Sequence, residues 1–430
     1  MIINEQVPLH RLIMSLSQAL DYVHPDVVDH QQRTAYIAAS IARQLGIDKY
    51  EMLDLFFAAA LHDIGLIGSE NRIKGIREGN FGDPMLHCET GYRLLKDFFL
   101  FTRASEFVRF HHLPWKNGKG AECKGLDVPF ISHILVLSDS IERMIKRDIY
   151  ILDQSESIVE QIDLLRGEKF HPDCVDAFHE ICEVESFWLD CASNRIYSVI
   201  LKQIDWPTLS LDEKSIEPIS RIFANIIDTT SQWTATHSAG VASAAVELAE
   251  RLHFSEREKF LMRSAGYFHD IGKLTVPTYI LDKPDKLTEK ELHILKSHTY
   301  YTFSFLDTIG GLPQITEWAA FHHERLDGNG YPFHHKAKDL TLGSRIMAVA
   351  DVFAALTEDR PYHKEMNREK TLEIINKLAG SSGLDYDVVK VLESDYNTIY
   401  DIVKQNRQEY SVRQEILLKH LLPEHPGVNL

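Results

Sequence analysis

Seven residues in the C-terminal half combine five imidazoles with two carboxylates: His237, His269, Asp270, His298, His322, His323 and Asp351. Imidazole nitrogen and carboxylate oxygen are ligands for Zn, Mn or Fe, and the chain has too few thiols for a thiolate-only site. A single His-Asp pair says little, because a lone buried histidine is more often an ordinary core residue. Here the order is His, His-Asp, His, His-His, Asp, carried on separate segments between positions 237 and 351. Helices of one bundle can bring such side chains to a common interior point. Adjacency of His269 and Asp270 lets one segment offer an imidazole together with a carboxylate able to bridge two cations. Lys273 follows one turn later and carries a charge suited to neutralising a phosphoryl group. Its bland alternative is a solvated lysine at a helix end.

The elements that must position these residues read as helices. Leu9–Leu20, Thr34–Leu45, Tyr50–His62 and Ala239–Leu252 place apolar residues three and four apart. No alternating strand run and no series of Gly-rich hairpins occurs, so the expected class is all-α. Leu53–Leu61 and Leu94–Phe101 read as core helices. Gly46, Gly65, Gly272 and Gly330 mark helix ends or loops. Periodicity breaks over Ile204–Ser220, at Trp206-Pro207, Asp212-Glu213 and Glu217-Pro218, which reads as a linker. At 430 residues the chain exceeds one ordinary core, so two helical-bundle domains are expected, 1–205 and 206–430.

Those two halves repeat each other. Leu61-His62-Asp63-Ile64-Gly65 recurs as Phe268-His269-Asp270-Ile271-Gly272, an offset of 269 − 62 = 207 that also relates His30 to His237. His87 maps to His298 and His111-His112 to His322-His323, both at 211, and Asp139 maps to Asp351 at 212. Offsets that grow by a few residues while residue types keep their order are the mark of duplication with small loop insertions. The first half therefore holds a second candidate metal set: His30, His62, Asp63, His87, His111, His112 and Asp139. Histidines without a counterpart in the repeat, His293, His334, His335 and His363, read as surface or loop residues.

Bulk properties narrow the classes. A formal net charge of −17 opposes nonspecific binding to polymeric nucleic acid, which needs a basic face. It leaves room for a small phosphate-bearing ligand, since metal ions supply local positive charge. No apolar run approaches the ~18 residues of a membrane span, and Met1–Leu12 lacks the apolar core of a signal peptide. Five cysteines, Cys88, Cys123, Cys174, Cys182 and Cys191, are scattered and show no CxxC spacing. An odd, dispersed set fits a reducing compartment, with the cytoplasm as the expected location.

The second half resembles the HD-GYP subfamily of the HD metal-dependent phosphohydrolase superfamily. The resemblance rests on His269-Asp270-Ile271-Gly272-Lys273 and on His322-His323-Glu324-Arg325-Leu326-Asp327-Gly328-Asn329-Gly330-Tyr331-Pro332. It continues through Arg345-Ile346-Met347-Ala348-Val349-Ala350-Asp351 and Arg360-Pro361-Tyr362, over about 223 to 392. It implies an all-helical fold and hydrolysis of a cyclic dinucleotide, cyclic di-GMP or 3′3′-cyclic GMP-AMP, to the linear 5′-phosphorylated dinucleotide. It also implies two divalent transition-metal ions in the catalytic domain (Fe, Mn or Zn) and a homodimer. One ion would be held by His237, His269, Asp270 and Asp351, the other by Asp270, His298, His322 and His323. Two such ions activate water and clamp phosphoryl oxygens for in-line displacement of a ribose 3′-oxygen. His269, Asp270 and Lys273 are the expected catalytic residues. Lys273, Gly330, Tyr331, Pro332, Arg360 and Lys364 are the expected substrate contacts, Tyr331 either stacking on a base or packing its loop.

Two positions depart from the family pattern. Trp233 stands where some members place a glutamate for a third metal, which favours a two-metal centre. Ala354 stands where an aspartate is common three residues after the last ligand, removing a supporting carboxylate. The first half resembles a degenerate copy. It keeps every ligand type, and Asp26 even offers an extra carboxylate four residues before His30. Yet Leu66 replaces the lysine, and Leu113-Pro114-Trp115-Lys116-Asn117-Gly118 replaces the GYP loop. The expected role of this half is regulatory or structural, with metal binding but no diesterase activity of its own. Two other functions fit the pattern less well: a cyclic-dinucleotide sensor with little turnover, or an HD-type nucleotidase acting on mononucleotides.

Overall fold

The computed structural model describes residues 7–22, 28–66, 84–204, 206, 210–211, 213–230, 236–358 and 365–418. Nearly all the regular structure is helical. Among the described residues the strands are two-residue pieces, Val7–Pro8 against Ser210–Leu211 and Glu122–Cys123 against Leu126–Asp127, both antiparallel. No described helix is long and apolar enough to cross a membrane. Two compact units result, one from residues 16–209 and one from 210–418 joined by 7–15.

In the C-terminal unit the helix His237–Arg251 packs on Glu256–Phe268, Leu342–Leu356 and Tyr396–Leu418. Its buried face is made of small residues, Ala239, Gly240, Ala242, Ala244 and Ala245, so neighbouring backbones approach closely. A Cβ on Gly266 would stand 2.5 Å from the Ala242 Cα. Reciprocal capping boxes, Ser255 with Glu258 and Thr288 with Glu291, start the helices Glu256–Phe268 and Glu289–Ile309. The N-terminal unit repeats the scheme around His30–Gln44, whose neighbours are Lys49–Leu61, Phe130–Met144 and Pro172–Cys182.

Two sequence expectations change. The helix Glu213–Thr230 runs through Pro218, so the second part of the expected linker is helical. Ile216, Ile219, Phe223, Ile226 and Ile227 form a continuous buried stripe there, and its burial outweighs the one backbone hydrogen bond that proline removes. Leu94–Phe101 is not one helix: Pro84–Leu95 ends first, and Phe98 and Phe101 reach the core from the turn that follows, while Phe99 is exposed.

The glycine of the repeated His-Asp-Ile-Gly is required by contact between elements. A Cβ at Gly272 would lie 1.9 Å from the His298 carbonyl oxygen, and one at Gly65 would lie 2.0 Å from that of His87. The short turn carrying each His-Asp pair is thereby pressed onto the helix carrying the next histidine. Gly46 is different, since it has φ +70° and open space around it, as a helix terminator needs. Gly272→Ala is expected to destabilise the C-terminal unit by about 1–3 kcal/mol through overpacking, visible as a lowered thermal transition. Gly46→Ala should act only through its backbone.

Candidate metal centres

In the C-terminal unit the candidate ligands sit at helix ends or inside helices. His237 is the first residue of its helix, His269 and Asp270 follow the end of Glu256–Phe268, and His298 lies inside Glu289–Ile309. His322 and His323 follow Pro313–Ala320, and Asp351 lies on Leu342–Leu356. The side chains converge. Asp270 Oδ2 is 3.1 Å from His269 Nε2 and 3.9 Å from His237 Nε2, whereas Oδ1 is 3.4 Å from His298 Nε2 and 4.0 Å from His322 Nε2. Asp351 divides in the same way, Oδ1 lying 3.2 Å from His237 Nε2 and Oδ2 lying 3.7 Å from His323 Nδ1. One carboxylate thus faces two ligand groups with its two oxygens, as a bridge between two cations requires.

Three observations test whether cations fit. First, His269, His298 and His322 each donate Nδ1–H to a carbonyl three residues back, of Gly266, Leu295 and Ala319 at 2.8, 2.6 and 2.6 Å. That bond fixes the tautomer that turns the Nε2 lone pair inward. Second, His269 Nε2 and Asp270 Oδ1 are buried with no hydrogen-bond partner among the described residues. Third, His237, His269 and Asp351 form one group with ligand atoms within 4.8 Å of one another, and His298, His322 and His323 form another. The donor set fits two divalent ions.

Electrostatics agree with that fit. Burial opposes ionisation of Asp270, yet His269 and Lys273 hold its carboxyl well below the usual range. Burial, helped by the charges of His323 and Lys273, holds His298 down at about 3, so it is a neutral donor near pH 7. Lys273 Nζ lies 2.6 Å from Asp270 Oδ2, which places it inside the centre and not at a solvated helix end. The most exposed candidate ligand is His323, at 31% for its side chain, against 1% for His298 and 3% for Asp270. Access is therefore from the side of His323 and Lys273.

The GYP loop closes on that side. Tyr331 packs its ring 5.0 Å from His323, and Lys296 Nζ lies 5.2 Å from the Tyr331 ring centre. Buried Glu324 accepts the backbone N–H of Phe333 and His335, and a Cβ on Gly330 would strike Glu324 Cα at 2.5 Å. His293 and His334 are exposed, while His335 is half-buried against Phe321. Arg360, Lys364, His363, Trp233 and Asp26 lie outside the described residues.

Sequence reasoning missed the residue that supports His237. Glu358 Oε2 is 3.4 Å from His237 Nδ1, and Thr236 Oγ1 donates to Glu358 Oε1 at 2.8 Å. The carboxylate missing at Ala354 is thus supplied one turn later. No local sequence pattern marks it, because the contact joins positions 237 and 358. Thr302 is a second omission: its Oγ1 accepts from Gly272 N and donates to the His269 carbonyl, pinning the His-Asp turn.

The N-terminal unit builds the same geometry. Asp63 Oδ2 is 3.4 Å from both His30 and His62 Nε2, and Oδ1 is 3.6 Å from His87 and 3.7 Å from His111. Asp139 Oδ1 faces His30 and His62 at 3.5 and 3.6 Å, with His112 Nδ1 at 4.0 Å from Oδ2. Here Glu142, three residues after Asp139, supports His30 Nδ1 at 2.5 Å. Burial would lower His62, but Asp63 and Asp139 hold it up at about 10. Leu66 is buried in the lysine's place, while Arg143 Nη1 approaches Asp139 Oδ2 at 3.5 Å. His112 is only 12% exposed, so this centre is the more closed of the two.

Two models of the HD domain match the chain, over residues 27–144 and 221–388. The 3′3′-cGAMP-specific phosphodiesterase 1 of Vibrio cholerae is 28% identical over 414 residues, covering 94% of this chain and 93% of that protein. A cyclic di-GMP phosphodiesterase of Pseudomonas aeruginosa is 37% identical over 161 residues, 36% of this chain and 37% of its own. A crystal structure of a V. cholerae cyclic GMP-AMP phosphodiesterase superposes with TM-score 0.63 at 24% identity, covering 91% of this chain and 98% of that one. That likeness shows the shared fold.

Support of His237 by Glu358 has a measurable consequence. Glu358→Ala should weaken metal binding by the His237 group about 10- to 100-fold. Chelator competition followed by metal analysis would show this, with the second ion of the unit retained longer.

Proposed function

Because the chain belongs to the HD family, with an HD domain in each half and the HD-GYP signature in the second, we propose that it is a metal-dependent phosphodiesterase opening a cyclic dinucleotide, 3′3′-cyclic GMP-AMP or cyclic di-GMP. The reading is carried by Asp270, whose carboxylate stands between two histidine groups with Lys273 on one oxygen, beside a closed GYP loop. Similarity to the 3′3′-cGAMP-specific relative over 94% of this chain supports the substrate class. Residues 206–430, with 7–15 packed into the same unit, form the catalytic domain, and the rest of 1–205 forms a regulatory or structural domain that binds metal through His30, His62, Asp63, His87, His111, His112 and Asp139. The working unit is a homodimer.

His237, His269, Asp270 and Asp351 would hold one divalent ion, and Asp270, His298, His322 and His323 the other. When bound, such ions supply Lewis-acid activation of water and charge stabilisation at phosphorus. The chain's own residues do the rest. Asp270 sets the spacing of the two ligand groups, and the Nδ1–H bonds of His269, His298 and His322 hold their rings in place. Lys273 places an ammonium beside the reacting phosphoryl group, where charge builds during in-line displacement. Tyr331, held by Gly330 and Pro332 over the open edge at His323, offers a ring face to a base. Arg360 and Lys364 supply further contacts to phosphate or base.

Turnover of both cyclic dinucleotides, with products resolved by chromatography, tests the reading. Asp270→Ala and His269→Ala should abolish linear product while leaving the helical circular-dichroism signal intact. Lys273→Met should lower kcat by about 10²- to 10³-fold. Asp63→Ala should still cleave. Loss of cleavage in Asp63→Ala with retention in Asp270→Ala would transfer catalysis to the other half and overturn the assignment.

A further inference from the structure

One difference between the N-terminal centre and its repeat is a ligand-capable sulfur. Cys88 follows His87 on the helix Pro84–Leu95, at the position held in the second copy by Thr299 (299 − 88 = 211). Thr299 turns its hydroxyl back onto its own helix, donating to the Lys296 carbonyl at 3.1 Å. Cys88 is fully buried, and its Sγ lies 3.9 Å from His87 Nε2 and 4.0 Å from His111 Nε2, which are themselves 3.2 Å apart. These atoms make a triangle with sides 3.2, 3.9 and 4.0 Å, whose centre is about 2.2 Å from each corner. Zinc bonds are about 2.0–2.1 Å to imidazole nitrogen and about 2.3 Å to sulfur. A fourth donor faces the same nitrogens: Asp63 Oδ1, 3.6 and 3.7 Å from them. That oxygen is buried and has no hydrogen-bond partner among the described residues.

We propose that Cys88 is a metal ligand, joining the group of Asp63, His87, His111 and His112 in a mixed sulfur, nitrogen and oxygen site in the N-terminal domain. The proposal rests on the reading of that domain as metal-binding and adds the identity of the ligand and the metal it selects. Binding replaces the thiol S–H bond by a sulfur–metal bond and releases the proton to solvent. A thiolate biases this site toward zinc, whereas the C-terminal centre, built from imidazole and carboxylate alone, accepts harder ions such as manganese and iron. The two centres of one chain then load with different metals. A closed zinc site in the N-terminal half would keep that domain folded while the other half turns over.

The test uses the full chain with Asp270→Ala, which removes the bridge of the C-terminal centre, loaded with cobalt(II). Cobalt on a thiolate gives a sulfur-to-metal charge-transfer band in the near ultraviolet, and sites of nitrogen and oxygen alone do not. The band is expected in this chain and after Cys191→Ala, and it is expected to vanish in Cys88→Thr and Cys88→Ala. Zinc affinity of the N-terminal site should fall at least tenfold in both Cys88 variants; two are used so that a folding failure of one leaves the other. Cobalt bound without the band, or a band that survives both substitutions, would overturn the ligand assignment alone. An absence of cobalt uptake would overturn the N-terminal metal site together with it.

Discussion

A carboxylate buried among imidazoles is the constraint around which each unit of this protein is organised. Asp270 and Asp63 are each about 2% exposed, and each places both oxygens within 4 Å of histidine nitrogens. An ionised carboxylate in such a place is stable only with compensating positive charge. In the C-terminal unit Lys273 provides part of it, and the ligand geometry leaves the remainder to divalent cations. The arrangement suits phosphoryl transfer because the groups that neutralise the carboxylate also neutralise a phosphodiester brought against it.

Helical packing exists to hold that carboxylate still. The His-Asp turn is pressed onto the next ligand helix by a glycine that admits no side chain, and Thr302 ties it down from the other face. Small residues along His237–Arg251 let the flanking helices come close, so ligands on separate helices meet within one cluster. Backbone carbonyls one turn back orient the imidazoles, so the rigidity of helix ends becomes rigidity of the ligands.

Duplication preserved this frame and varied what surrounds it. A carboxylate supports the first histidine in both copies, but from position +3 in one and +7 in the other, Glu142 and Glu358. The supporting charge also changes partner: Lys273 approaches the aspartate of the His-Asp pair, Asp270, whereas Arg143 approaches the last aspartate, Asp139. A copy with Leu66 in the lysine's place and a less exposed edge keeps the means of holding a metal. It has leucine where the other copy has Lys273, and His112 is less exposed than its counterpart His323.

The order of the candidate ligand residues, the duplication and the all-helical class were legible in the sequence because each is a matter of residue type and spacing. His237, His269, Asp270, His298, His322, His323 and Asp351 keep their order wherever the loops run, and helical periodicity is local. What the sequence could not decide depends on atoms far apart along the chain. Glu358 reaches His237 across 121 positions (358 − 237), and no local pattern marks it as the replacement for Ala354. Lys273 is expected near a phosphoryl group, but only the fold shows its ammonium on Asp270 Oδ2. Cys88 reads as a scattered thiol until the packing of Pro84–Leu95 brings its sulfur beside two imidazoles. The helix through Pro218 likewise follows from burial of a long apolar stripe, a tertiary gain that overrides the local signal of a break. Sequence determined which groups are present and in what order; tertiary packing decided which of them share a charge.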